Sequence, residues 1–152
     1  MREIKFRGQG VYDGDWHYGF YREFTMPSCW KHEAYKDGVN YYIDEKGSNE
    51  SYLVIPSTIG QFTGLRDKNG REIYEGDLCE ELDKDGKETG SILQILWSGY
   101  YKFDAKVIKG GTLSEGLSFP LWHWDNRKEN GFRQLEIIGS IYTAPELLEE
   151  DK

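Results

Sequence analysis

Apolar side chains recur at every second position through much of this chain, and that period admits one kind of local structure. Ile4 and Phe6 alternate with Lys5 and Arg7, and Trp16, Tyr18 and Phe20 alternate with His17, Gly19 and Tyr21. Successive side chains of a strand point to opposite faces, so each run predicts a β-strand with one face available to a core. The stretch between them holds Gly8, Gly10, Asp13, Gly14 and Asp15. These residues favour turns, through positive φ or local side-chain bonds. An N-terminal hairpin is expected. Further strands are expected at 39–44, 51–55, 90–97, 100–108 and 135–142. Ile92-Leu93-Gln94-Ile95-Leu96-Trp97 is nearly all apolar, the pattern of a central strand covered on both faces. Ser98-Gly99 predicts a two-residue hairpin between 90–97 and 100–108. Residues 26–37, with Pro27 and mixed polarity, read as a loop.

Three similar turn units punctuate the strands: Asp44-Glu45-Lys46-Gly47, Asp67-Lys68-Asn69-Gly70 and Asp83-Lys84-Asp85-Gly86. Each predicts a type I turn with glycine in the left-handed position. Their unequal spacing excludes a repeat architecture. The turn-rich segment 63–77 divides the chain, so two small β sub-domains are expected, 1–62 and 63–152. Glu75-Gly76-Asp77 before Leu78 resembles the approach to a strand in SH3-like barrels, where glycine permits a tight bend. Ala144-Pro145-Glu146-Leu147-Leu148-Glu149-Glu150 predicts a short C-terminal helix capped by Thr143, with proline in its first turn. The expected fold class is therefore mainly β, with the C-terminal sub-domain an SH3-like barrel carrying a terminal helix.

Composition bounds the function. Aromatic residues make up 15% of the 152, including 5 Trp and 11 Tyr, so the chain has apolar surface to bury and is not a disordered polymer. The formal net charge of -8 repels polyphosphate, which argues against broad binding to nucleic acid or anionic membrane. Cys29 and Cys79 are too few for a disulfide scaffold, and both are expected as thiols. No apolar run approaches the about 20 residues of a membrane helix, and the N-terminus lacks a signal-peptide pattern. The expected location is the cytoplasm of the cell in which the gene is expressed.

The stretch Ile59-Gly60-Gln61-Phe62-Thr63-Gly64-Leu65-Arg66-Asp67-Lys68-Asn69-Gly70-Arg71-Glu72-Ile73-Tyr74-Glu75-Gly76-Asp77 resembles the centre of the YopX family of phage-encoded proteins. The opening Arg2-Glu3-Ile4-Lys5-Phe6-Arg7-Gly8, with Trp16, Tyr18 and Gly19, resembles the family's opening. Glu136-Ile137-Ile138-Gly139-Ser140-Ile141-Tyr142 and Pro145-Glu146-Leu147-Leu148 resemble its end. The resemblance implies a phage or prophage gene and a β-rich fold, and it supplies no activity. Segments 26–36 and 112–132 depart from the family pattern.

Chemistry-bearing residues are sparse. Cys29 and His32 have the C-x-x-H spacing of one zinc-ligand pair, but Cys79, His17 or His123 would have to complete the set from a distance, so no metal is expected. The aspartate turns lack the calcium-loop ligands: the fifth and sixth positions are Arg71 and Glu72 in one, and Lys87 and Glu88 in the other. No nucleophile elbow, phosphate loop or dinucleotide fingerprint is present, so neither catalysis nor a cofactor is expected. The most unusual composition is Phe119-Pro120-Leu121-Trp122-His123-Trp124-Asp125. In an extended chain Trp122 and Trp124 would share a face, serving as an interaction platform with His123 or as core. The expected function is a non-enzymatic phage accessory protein acting through an unidentified protein partner or self-association. The alternative is a single-strand nucleic-acid binder using Arg66, Lys68 and Arg71 beside aromatics.

Overall fold

The computed structural model describes residues 3–25, 27, 38–125 and 133–149. Of the described residues 55% lie in strands and 9% in short helical turns, so the fold is mainly β, in two antiparallel sheets. The chain divides into two compact units, Met1–Phe62 and Thr63–Lys152.

The first unit is a meander of β1 (Phe6–Gln9), β2 (Trp16–Thr25), β3 (Val39–Glu45) and β4 (Ser51–Leu53). The predicted hairpin forms, with Phe6 opposite Gly19 and Gln9 opposite Trp16. β2 runs past the expected strand because β3 pairs with it from Gly19 to Thr25. A 3-10 turn, Pro56–Thr58, leads into β5 (Gly60–Arg66), whose first residues pair with β1 on its other side. β5 then carries the chain across the boundary. Among the described residues of this unit few aliphatics are fully buried, Ile43 and Val54 foremost. Ring stacking supplements them. His17 lies flat on Tyr52 at 3.6 Å, and the Arg7 guanidinium sits 4.4 Å over Trp16.

The second unit holds β6 (Glu72–Tyr74), next to β5, and a five-stranded sheet. That sheet comprises β7 (Asp77–Leu82), β8 (Glu88–Ser98), β9 (Lys102–Lys109), β10 (Ser118–Pro120) and β11 (Gln134–Ser140), in the order β10-β9-β8-β7-β11. The last strand therefore returns to pair with the first. β8 is central, as expected. Leu93, Ile95, Ala105 and Val107 are fully buried and pack with Leu65, Ile73, Cys79, Phe103, Leu121, Trp124 and Leu135. Gly76 takes φ +92° in the bend before β7, where its N–H reaches Ile95 and its carbonyl accepts Ile141. A Cβ there would also lie 3.1 Å from the Tyr142 ring, so both backbone and space require glycine.

Two expectations are corrected, and a third is met only in its coarser part. A closed barrel is not found among the described residues, since β10 and β11 are the outer strands of the sheet. The expected C-terminal helix is a single 3-10 turn, Pro145–Leu148. Its intended cap is occupied elsewhere: Thr143 Oγ1 accepts the Ser140 N–H at 3.0 Å, and no side chain caps the turn. The β8–β9 hairpin has three loop residues, not two, and positive φ falls on Tyr101 (58°). The core decides this register. With three loop residues Ile95 faces Ala105 and Leu93 faces Val107. A two-residue loop would set Lys102 and Asp104 against the same buried pair, and a register change of that kind is penalised wherever one face is core.

The central turn guards a sheet edge. Asp67 is 2% exposed, and its Oδ1 accepts the N–H groups of Asn69 and Arg71, each at 2.9 Å. Its Oδ2 accepts the Ile137 N–H and the Arg71 Nε, each at 3.2 Å. Arg71 Nη2 donates to the Ile137 carbonyl at 2.6 Å, and the Lys68 N–H donates to the Leu135 carbonyl. The Leu135 carbonyl and the outward N–H and C=O of Ile137 are thus satisfied by a turn, which guards this part of the edge against another strand. Asp83 makes the same local pattern, bonding the N–H groups of Asp85 and Lys87, and Gly70 and Gly86 both take φ +79°.

Two stability predictions follow from this geometry. Tyr101→Gly removes a left-handed non-glycine residue and should stabilise the chain by about 0.5–1 kcal/mol in denaturant unfolding, after the added flexibility of the unfolded chain is subtracted. Asp67→Asn turns an acceptor into a donor facing the Ile137 N–H and Arg71, and should destabilise by about 2–4 kcal/mol in the same assay.

Candidate interaction site

The aromatic segment does not lie extended. Leu121–Trp124 forms a 3-10 turn, whose period of about three residues puts Leu121 and Trp124 on one face. Trp124 is 5% exposed and belongs to the core, while Trp122 is 55% exposed. The segment is not extended, so Trp122 and Trp124 do not share a face. Trp122 instead pairs with His123, ring on ring at 4.1 Å and 20°, and both are exposed.

Trp124 points inward because a buried carboxylate awaits it. Glu81 on β7 is 0% exposed. Its Oε2 accepts the Trp124 indole N–H at 2.9 Å, and its Oε1 accepts the hydroxyls of Thr89 and Thr112 at 3.0 Å and Arg133 Nη1 at 2.9 Å. Four donors from separate segments converge on one side chain, which offsets the cost of burying its charge.

The three basic candidates occupy the turn and strand ends around 66–71, each turned to its own acceptor. Arg66 bonds the Gly70 carbonyl and Glu72, Lys68 pairs with Glu136 at 2.9 Å, and Arg71 is held by Asp67 and Ile137. Their charges are met within the fold, which weakens their attraction for phosphate. On the neighbouring strands burial raises the pKa of Glu80, helped by repulsion from Glu88 and Glu136 and opposed by Lys109 and Lys68.

Among the described residues an exposed aromatic row lies on β2. Tyr18, Phe20 and Phe24 are 45%, 53% and 50% exposed. The alternation 16, 18, 20, 22, 24 places them on one face with Arg22. Arg22 makes a two-point bond to Asp44 at 2.8 and 3.1 Å and lies over the Tyr42 ring at 4.6 Å. The Arg22 bond, aided by the Ser51 hydroxyl, holds the Asp44 carboxyl below its usual range. On the opposite face the Tyr21 hydroxyl donates to Glu23. Burial and that carboxylate push the Tyr21 phenol up. Beside the row, a hollow of about 380 Å³ opens between residues 3–5 and Tyr18, Gly19 and Phe20. Tyr18 and Phe20 were legible as same-face residues. Phe24 was missed, although it continues their spacing. Tyr100 and Tyr101, 84% and 89% exposed at the β8–β9 tip, were also missed because the loop was read one residue short.

Among the described residues no group of three or more His, Cys, Asp or Glu could hold a metal ion. Cys29 and His32 lie outside the described residues. Cys79 is buried in the core, and His17 bonds Asp13 at 2.8 Å in the β1–β2 turn. Among the described residues no helix is long and apolar enough to cross a membrane.

Fold and surface together define a small all-β protein with aromatic side chains displayed on a strand and in turns. The model of the YopX protein family matches residues 5–149, nearly the whole chain, and the chain belongs to that family. No curated protein matches it. A crystal structure of protein EF1440 from Enterococcus faecalis is similar at 19% identity and a TM-score of 0.43, covering 98% of this chain and 100% of that one.

The two tryptophans should separate on mutation. Trp124→Ala removes a buried ring and strands a buried carboxylate oxygen, so a loss of about 3–5 kcal/mol is expected. Trp122→Ala should change stability by less than about 1 kcal/mol. Paired denaturant titrations measure both.

Proposed function

We propose that this protein is a non-enzymatic accessory protein of a phage or prophage that works by protein contact through its aromatic surface. The observation that carries the reading is the β2 row: three large rings about half exposed, on a strand whose one same-face cation, Arg22, is neutralised by Asp44. Burying such rings against a partner gains apolar area without leaving a charge unpaired. The exposed Trp122–His123 stack and the Tyr100–Tyr101 tip add surface of the same kind. The phage setting rests on family membership. The order β10-β9-β8-β7-β11, with a 3-10 turn before the returning strand, favours an SH3-like description of the second unit.

Single-strand nucleic-acid binding is the second reading, favoured by the same exposed rings, on which bases could stack. Salt separates the two, because phosphate binding falls steeply as salt rises and apolar contact does not. Capture of proteins from infected and uninfected host lysates should succeed with the wild-type chain, persist at high salt, and fail with the Phe20→Ser/Phe24→Ser variant. A single-stranded oligonucleotide should not bind at physiological salt. Tight, salt-sensitive oligonucleotide binding that Arg66→Ala or Arg71→Ala weakens would overturn the proposal.

A further inference from the structure

β2 is ten residues long, yet β1 covers its edge only from Trp16 to Gly19. On that side, among the described residues, no strand pairs with Phe20–Thr25. The hydrogen bonds show which residues present their backbone there. The Tyr41 carbonyl accepts the Val54 N–H, so Tyr41 turns its peptide groups toward β4. Glu23 stands opposite Tyr41, and therefore turns its own N–H and C=O away from β3, to the uncovered side. By the two-residue repeat Tyr21 does the same. The Lys5 carbonyl gives an independent check: it accepts the Phe62 N–H from β5, so Phe6 is the residue that faces Gly19, and odd-numbered residues of β2 point to this edge.

Natural sheet edges are usually protected by charge. Here Arg22 is held by Asp44 and Glu23 accepts the Tyr21 hydroxyl, so both charges of the 20–24 segment are engaged within the sheet. The segment is also complementary to itself. A second copy laid antiparallel, with Arg22 at the two-fold axis, brings Tyr21 opposite Glu23 twice and Phe20 opposite Phe24 twice. Tyr21 and Glu23 both present outward N–H and C=O groups, so the pair exchanges four backbone bonds. The Phe pairs form the close cross-strand contacts that stabilise sheets. Each Arg22 meets its copy already neutralised by its own Asp44.

We infer that two copies of this chain associate through the uncovered edge of β2, pairing residues 20–24 antiparallel into one continuous sheet. This rests on the contact reading above and names one partner for that strand. A two-fold contact of this kind closes on itself, so the assembly stops at a dimer.

Sedimentation equilibrium of the full chain over a wide concentration range should show a monomer–dimer equilibrium with weak salt dependence. Amide exchange should slow with concentration at Tyr21 and Glu23. Phe20, Arg22 and Phe24, whose N–H groups already face β3, should change little. Glu23→Pro deletes an outward N–H only, as proline tolerates on an edge, and should weaken the dimer by about tenfold or more. Glu23→Gln keeps that N–H and should retain the dimer. A chain that stays monomeric throughout overturns edge pairing, and leaves the broader contact reading to its own capture assay. A dimer indifferent to Glu23→Pro but abolished by Phe20→Ser/Phe24→Ser overturns the edge geometry while supporting aromatic contact. If Glu23→Pro does not fold, the odd–even exchange pattern in the wild-type chain decides: equal protection at all five residues overturns the proposal.

Discussion

A carboxylate withdrawn from water must find donors inside the protein, and two such groups organise the second unit. Glu81 is fully buried and gathers Thr89, Thr112, Trp124 and Arg133. Asp67 gathers three backbone N–H groups and Arg71. Loss of either carboxylate would take the shared acceptor from several donors at once, so the penalty exceeds that of one hydrogen bond. Glu81 sets the position of the 3-10 turn, and through it decides which tryptophan is core. Asp67 sets the position of the turn that covers β11. The segment around Asp67 therefore has a structural role: it builds a tight turn and uses it to satisfy backbone groups on the outer strand of a sheet.

The first unit rests on different physics. Its fully buried aliphatics are few, and its strands are held by stacked rings and by cations over rings. Such packing leaves aromatic edges and faces on the surface, because rings that cover one another do not need complete burial. The same composition that stabilises this sheet supplies its exposed row. The contrast with β11 is direct. One sheet has its outer strand covered by the Asp67 turn, while in the other β2 extends beyond its neighbour β1.

Much of the fold was legible because strands announce themselves by alternation. The β1–β2 hairpin, β3, the central position of β8 and the left-handed glycines of the aspartate turns follow from local rules. β10 escaped notice, since three residues ending in Pro120 carry too short an alternation. The hairpin after β8 was misread for a definite reason: Ser98-Gly99 satisfies the turn rule, but Ile95 and Leu93 need Ala105 and Val107 opposite them, and burial outweighs the about 1 kcal/mol of a left-handed tyrosine. Thr143 was misread as a helix cap because a side chain that can cap can equally bond the Ser140 backbone.

The amino-acid order by itself determined the strand period, the aspartate–glycine turns, the family and the presence of many aromatic side chains. Those properties depend on neighbours within a few residues. Tertiary structure decided which rings are buried and which basic residues are already paired. Trp122 and Trp124 differ only in which face of one turn they occupy, and that choice is made by Glu81, 43 residues away in sequence. Arg71 reads as a cation in the sequence, yet in the fold it belongs to Asp67 and the Ile137 carbonyl. Burial and charge neutralisation are properties of what lies nearby in space, and a one-dimensional pattern carries no measure of that distance.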